Sequence, residues 1–353
     1  MSKTIGILTG GGDCPGLNAV IRAAVKTADE AYGYKVIGIE RAFEGMMEPA
    51  WRELNLASIR GILPKGGTIL GTTNKGDPFN FPLGDGRHDM SHRIIENFEQ
   101  LGLDALIVVG GDGSLTIANR FSELGLPIVA VPKTIDNDLA ATDYTFGFMS
   151  AVSVASEAVD RLHSTAESHG RVMVLEVMGR NAGWIALYSG IAGGADIILL
   201  PEIPYDPDCV VKGIQERFEK GSLFDIIVVA EGAKPVGGAE TFIDRRSRRL
   251  GGVAFEVADE LRRQIDMEVR VTVLGHVQRG GSPISYDRLL ATRFGSHAMD
   301  LVNQGDFGKM VALRGDSIVS VPLRDAVASP KLVDPDSEIV RTARSLGISF
   351  GDV

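Results

Sequence analysis

"VVGGDGSLTIANRFSELGLPIVAVPKTIDND" runs from Val108 to Asp138 and holds two apolar runs, each ending in a polar turn. "ALIVVGG" and "PIVAVPK" are β-rich and bounded by Gly, Pro or Asp, the pattern of strands buried in a parallel sheet. The stretch after Gly111 reads as a helix, so the segment is a strand, a helix and a strand with its polar residues at the strand ends. The pattern extends in both directions. "TIGILTG", "KVIGIE", "RVMVLEVMG", "DIILLPE", "DIIVVAEG" and "VRVTVLGH" are further apolar runs, and amphipathic stretches such as "GLNAVIRAAVKTADEAYG" and "AVSVASEAVDRLHSTAE" separate them. This alternation predicts an α/β fold with doubly wound, mostly parallel sheets.

At 353 residues the chain is long for one compact unit, which predicts two lobes with the active site in the cleft between them. We expect a first lobe at residues 1–150, rejoined by about 265–310, and a second at 151–264 together with about 311–353; the boundary near 150 is where a long helix begins. Hydrophobic residues at 44% and charged residues at 23% exclude a largely disordered chain. The first residues read as a strand and a loop rather than a cleavable leader, and no apolar stretch is long enough to span a bilayer, so we expect a cytoplasmic protein without a membrane partner. The presence of only Cys14 and Cys209 argues against a disulfide framework and a structural zinc site. A net charge of −10 argues against nucleic acid as a partner, so any anionic substrate must be held by local basic clusters.

Ligands of open parallel sheets bind beyond the carboxyl ends of the strands. Six polar motifs fall at such ends: "TGGGDCPG", "GGDGS", "KTIDND", "MGRNAG", "EGAK" and "GHVQRGG". Gly10 to Gly12 precede a helix, where backbone N–H groups face a phosphate, although neither GxGxxG nor GK[ST] spacing is present. The second loop adds Asp112 among Gly111, Gly113 and Ser114, a setting for Mg²⁺ beside donor phosphates; an Asx-turn capping the helix is the plain structural alternative. Asp136 and Asp138 stand two apart, so they share a side if the segment is extended and diverge if it turns. In phosphoryl transfer a positioned carboxylate accepts the proton of the attacking hydroxyl, which makes Asp136 the candidate base and Thr134 a hydroxyl contact. Arg171, Arg180, Arg270, His276 and Arg279 lie in or beside the later strand-end motifs, and guanidinium forks around one rim imply a phosphorylated acceptor. Glu231 is placed to accept a hydrogen bond from a sugar hydroxyl or to start a helix.

With these motifs in view, the sequence resembles the 6-phosphofructokinases from about residue 3 to residue 310. The resemblance is carried by "GGGDCPGLNAVIR", "GGTILGTTN", "GGDGS", "PKTIDND", "TDYTFGF", "EVMGR", "AGGAD" and "TVLGHVQRGGSP" in that order. It implies a glycolytic enzyme that transfers the γ-phosphoryl of ATP to the 1-hydroxyl of fructose 6-phosphate, with Mg²⁺, a first lobe for the donor and a second for the sugar phosphate. Carried over by position, Asp136 is the proton acceptor, aided by Thr134 and Arg180, and Asp112 is the magnesium ligand. Gly12, Gly111, Gly113 and Ser114, with Asn74 and Lys75, are donor contacts. Thr134, Asp136, Met178, Gly179, Arg180, Glu231, His276 and Arg279 are substrate contacts. Arg171 and Arg270 are the arginines that reach the 6-phosphate from a neighbouring subunit, which implies a homodimer or homotetramer.

Departures from the family pattern bear on the donor. Asn74 followed by Lys75 stands where ATP-using relatives carry an arginine, and Ile117 stands where they often have glycine. Gly113 implies ATP, since an aspartate there would crowd and repel the α-phosphate; Lys133 is typical of pyrophosphate users. This is the pattern of the family's mixed branch, so reversible transfer from pyrophosphate is the alternative to ATP. At the effector site of allosteric relatives Arg22 and Lys26 match, whereas Leu56, His163 and Ser222 replace charged residues, which implies weak regulation there. A nicotinamide-dependent oxidoreductase, with Glu40 as its ribose acid, is a remote alternative that leaves "KTIDND" unexplained.

Overall fold

The computed structural model describes residues 2–73, 76–84, 86–244 and 249–352. The chain forms two compact units, one of residues 1–149 with 279–330, the other of residues 150–278 with 331–353.

In chain order the first unit begins with strands β1 (Thr4–Gly10), β2 (Lys35–Ile39) and β3 (Trp51–Leu54). A short hairpin, β4 (Phe81–Leu83) and β5 (Gly86–His88), leads to β6 (Ala105–Gly110), β7 (Ile128–Thr134) and β8 (Phe146–Gly147). The second unit supplies β9 (Val172–Val177), β10 (Ile197–Leu199), β11 (Asp225–Ala230), the paired β12 (Phe242–Asp244) and β13 (Arg249–Leu250), and β14 (Val269–Val273). Strands β15 (Lys309–Arg314) and β16 (Ser317–Pro322) return to the first unit. Helices α1 (Leu17–Thr27), α2 (Glu44–Met47), α3 (Ser91–Gln100) and α4 (Asp112–Glu123) belong to the first unit; α5 (Phe148–His169) starts at the boundary, followed by α6 (Trp184–Gly193), α7 (Pro207–Glu219) and α8 (Val253–Gln264) in the second.

The first unit's main sheet has the order β16-β15-β7-β6-β1-β2-β3. Its centre is parallel, and β3 and β16 pair antiparallel at the two edges. Strands β1, β6 and β7 are buried along almost their whole length, because helices must cover both faces of a parallel sheet. Leu8, Ile39, Val108, Leu115, Phe121 and Met310 lie in one core cluster. Leu115, Ala118 and Phe121 recur at three-residue spacing, the stripe that seats α4 on the sheet.

The second unit's sheet is parallel throughout, in the order β10-β11-β9-β14. Val174, Leu199, Ile227, Val229, Val253 and Leu261 form its core. The buried carboxylate of Glu176, on β9, accepts the backbone N–H groups of Gly252 and Ala254 and thereby caps the start of α8.

The first boundary falls near residue 150 as expected, whereas the later ones differ. The segment from about 265, expected to rejoin the first unit, instead supplies β14, which pairs with β9. Re-entry comes at Arg279, and residues up to 330 stay with the first unit because β15 pairs with β7. An apolar strand fits either sheet by its pattern alone; the pairing partner decides, and it is not written locally. No helix among the described residues is long and apolar enough to cross a membrane.

Candidate active site

In the first unit the strand order reverses at β1, the switch point where ligands of such sheets bind. Gly10 pairs with Gly110, so the turns that follow β1 and β6 lie side by side. The N–H of Gly11 donates to the Thr73 carbonyl at 3.0 Å, and the Gly11 carbonyl accepts from Thr72 Oγ1 at 2.6 Å. These two bonds tie the first glycine turn to the "GTT" segment. Asn74 and Lys75, the next two residues, lie outside the described residues.

Gly111 is the N-cap of α4 and brings no capping side chain, so the first turn, Asp112-Gly113-Ser114, presents its N–H groups uncapped. Such an end attracts anions through both the unpaired donors and the helix dipole. Asp112 and Gly113 are exposed. A Cβ built on Gly113 meets nothing within 4 Å. A glycine inside a helix costs about 0.5–1 kcal/mol against alanine, so the fold itself does not ask for glycine here. Ile117 is half-buried and packs against the core of the unit.

At the end of β7 the chain does not continue extended. Asn137 adopts a left-handed φ of 54°, and its side-chain oxygen accepts the Thr145 N–H at 3.1 Å. Asp136 and Asp138 therefore flank a turn. Asp136 is 5% exposed, and its N–H donates to Thr134 Oγ1 at 3.0 Å. Burial first, then the charges of Asp136 and Asp112, pushes the Asp138 carboxyl up to about 6. The three carboxylates thus share one electrostatic neighbourhood despite the turn. Asp138 Oδ1 is buried and has no hydrogen-bond partner among the described residues.

Two cations of this unit, Lys133 and Arg279, sit against the first glycine turn. Lys133 is 3% exposed, and its Nζ donates to the Gly12 carbonyl at 2.5 Å. Burial pushes its ammonium below the ordinary lysine range, against the charges of Asp136 and Asp138. Arg279 donates to the Asp13 carbonyl at 3.3 Å, and a Cβ on Gly12 would come within 2.9 Å of its Nη1. Arg279, expected among the sugar-phosphate contacts, is thus placed beside the first glycine turn. Gly12, Asp112, Gly113, Ser114, Lys133, Thr134, Asp136 and Arg279 all belong to this one unit.

The second unit gathers Met178, Gly179, Arg180, Glu231 and His276 at the carboxyl ends of β9, β11 and β14, which are adjacent in its sheet. Gly179 has a φ of 141°, and a Cβ there would lie 2.5 Å from the Ala182 carbonyl, so only glycine fits. Arg180 follows with a φ of 50°, sparsely populated for a side-chain-bearing residue. Its backbone N–H donates to Glu231 Oε1 at 3.0 Å. Glu231 thereby holds the strained turn, and Arg180 projects exposed. The N–H of Met178 donates to Gln278 Oε1 at 3.4 Å, and Gln278 Nε2 donates to the Gly275 carbonyl at 3.1 Å, linking the turns after β9 and β14.

Arg171 and Arg270 are elsewhere. Arg171 precedes β9 and Arg270 is the second residue of β14, so both stand at the amino ends of their strands. Seven residue-to-residue steps of nearly extended chain lead from Arg171 to Met178, about 23 Å. The expectation of one rim is corrected: Arg180, Glu231 and His276 occupy one edge of this sheet, and Arg171 and Arg270 the other. Sequence reasoning also passed over Glu268, which pairs with both arginines, and gave Asp138 no role.

Of the positions compared with the effector site of relatives, His163 and Ser222 make internal bonds. His163 Nε2 donates to the Gly193 carbonyl at 2.8 Å, and Ser222 Oγ donates to the Phe224 carbonyl at 2.8 Å. Leu56 is exposed.

Residues 4–302 match the phosphofructokinase family. The chain belongs to this family. It is 53% identical to the ATP-dependent 6-phosphofructokinase 2 of Clostridium perfringens over 361 residues, covering 99% of each chain. It is 52% identical over 353 residues to the pyrophosphate–fructose 6-phosphate 1-phosphotransferase of Streptomyces coelicolor, covering 98% of this chain and 99% of the relative. Among solved structures it resembles Pichia pastoris phosphofructokinase in the T-state, with a TM-score of 0.83 and 34% identity over 98% of this chain and 37% of that one. Whole-chain identity is thus nearly equal for these two relatives, which are named for different donors.

Proposed function

We propose that this phosphofructokinase is ATP-dependent, transferring the γ-phosphoryl of ATP to the 1-hydroxyl of fructose 6-phosphate to give fructose 1,6-bisphosphate and ADP, a step of glycolysis. The same reading carries a cytoplasmic location. The observation that carries the donor assignment is the open space at Gly113 in the uncapped first turn of α4. Glycine there serves neither packing nor backbone conformation, and an acidic side chain would put a negative charge where donor phosphates meet the helix N-terminus. Lys133 is the observation on the side of pyrophosphate. Its ammonium is anchored on the Gly12 carbonyl, under the first glycine turn, and a buried cation there supports the phosphates of either donor.

Asp136 takes the proton of the attacking hydroxyl, and its position is fixed by burial and by the Thr134 hydroxyl. Thr134 is also a contact for the acceptor. Mg²⁺ fits the acidic set: Asp138 carries a buried oxygen without a partner, and Asp112 is close enough to perturb it. Among the described residues no three His, Cys, Asp or Glu side chains form a metal cage. Mg²⁺ keeps waters and donor-phosphate oxygens in its shell, so one or two carboxylates are enough to hold it. Asp112 and Asp138 are the residues that would hold it. When bound, the ion neutralises charge on the donor phosphates. Arg180, Glu231, Met178, Gly179 and His276 bind the sugar phosphate, with Arg180 presented by its strained turn.

Arg171 and Arg270 bind the 6-phosphate of a site in another copy of the chain. The support is their place at the opposite edge of the sheet from Arg180, about 23 Å along β9, beyond the reach of one sugar phosphate. A homodimer or homotetramer follows. The test of the donor assignment is Gly113→Asp: turnover with ATP falls by about tenfold or more, equivalent to at least ~1.4 kcal/mol in the barrier. Unchanged turnover with ATP in a folded variant would contradict it.

A further inference from the structure

Glu268 lies immediately before β14, directly across from Arg171, and two residues before Arg270. Its own carbonyl accepts the Val172 N–H at 3.0 Å, which fixes its backbone against β9. Alternation along a strand puts Glu268 and Arg270 on one side, and register puts Arg171 beside them. The two carboxylate oxygens divide the two guanidiniums between them: Oε2 pairs with Arg171 Nε and Oε1 with Arg270 Nη2. One oxyanion therefore already sits where, on the reading above, the sugar 6-phosphate of a neighbouring copy binds.

We propose that Glu268 is a built-in competitor for that phosphate. It holds the two guanidiniums at the spacing of the oxygens of a single oxyanion, and the phosphate must displace it. The inference rests on the assignment of Arg171 and Arg270 to the 6-phosphate. Charge decides the direction of the effect. With Glu268 ionised the trio carries one net positive charge; with a neutral residue it carries two. The side chains are 25%, 40% and 53% exposed for Arg171, Glu268 and Arg270, so solvent screens each pair and the ion pairs are weak enough to exchange. Glu268 thus lowers affinity for sugar phosphate while keeping the arginines ordered between turnovers. It is a positioning residue, since it touches the arginines and not the reacting atoms.

The test is steady-state kinetics on the assembled enzyme with Glu268→Gln, Glu268→Asp, Arg171→Ala and Arg270→Ala. With Glu268→Gln the KM for fructose 6-phosphate falls about three- to tenfold, the change lies in KM rather than kcat, and inorganic phosphate inhibits at correspondingly lower concentration. Glu268→Asp, which keeps the charge, stays near the parent KM. A KM that is unchanged or raised in Glu268→Gln, while the arginine variants raise KM, overturns the competitor role and leaves the arginine assignment standing. Arginine variants with unchanged KM overturn that assignment and the competitor role with it.

Discussion

Asp136 is buried, its backbone N–H is held by the Thr134 hydroxyl, and it interacts electrostatically with Lys133, conditions that hold a base at one point. Replacing it by Asn keeps the volume and removes the charge. Turnover should fall by about 10²- to 10⁴-fold with a modest change in KM, because a proton acceptor acts in the transition state. Steady-state rates on purified Asp136→Asn protein check this, and near-normal turnover would show that another group takes the proton. Asp136, Asp112 and Lys133 were legible in the sequence because carboxylates and a lysine follow apolar runs directly, where little else explains them. Their mutual geometry was not. Whether Asp136 and Asp138 diverge depends on Asn137 entering the left-handed region, a choice fixed by the distant Thr145. Arg171 and Arg270 were misread in their setting, although the signal was present: in "RVMVLEV" and "VRVTVL" the arginines stand at the beginning of the apolar runs, not at the end.

At the scale of elements, the amino end of α4 and the amino edge of the second sheet show opposite uses of charge. Gly113 leaves the first turn of α4 bare, and substitution to Ala should stabilise the first unit by about 0.5–1 kcal/mol, read as a raised thermal midpoint. A lowered midpoint would mean that the glycine is structurally required. On the second sheet, Arg217 of α7 pairs with both Asp196, just before β10, and Asp225, the first residue of β11. Burial, followed by the charge of Asp196, pushes the Asp225 carboxyl up to about 7 in spite of Arg217. A carboxyl raised on folding binds its proton more tightly in the folded state. Its contribution to stability is full below the unfolded value of about 3.9 and is lost as pH rises through about 7. Thermal midpoints between pH 5 and 8 should therefore decline with rising pH, and Asp225→Asn should flatten the decline. An identical slope in the variant would show that Asp225 is not the group responsible. The strands and helices themselves were legible because buried parallel strands are near-continuous apolar runs; the placement of β14 was not, since two sheets of one chain offer equivalent partners.

For the whole molecule, the proposal that Arg171 and Arg270 serve the site of a neighbouring copy makes a prediction about mixed assemblies. Asp136→Asn and Arg171→Ala proteins, each impaired alone, should regain activity when co-assembled, because some sites then receive an intact Asp136 from one chain and an intact Arg171 from the other. Strictly additive, low activity after subunit exchange would contradict a cross-chain role for Arg171. The central claim, that a phosphofructokinase with Lys133 beneath its first glycine turn is nevertheless committed to ATP by the open turn at Gly113, is reached most directly by one assay. Fructose 1,6-bisphosphate formation from fructose 6-phosphate and Mg²⁺ is measured in parallel with ATP and with pyrophosphate. Product with ATP and none with pyrophosphate is the predicted result; product with pyrophosphate alone would contradict it and make Lys133, not Gly113, the residue that selects the donor.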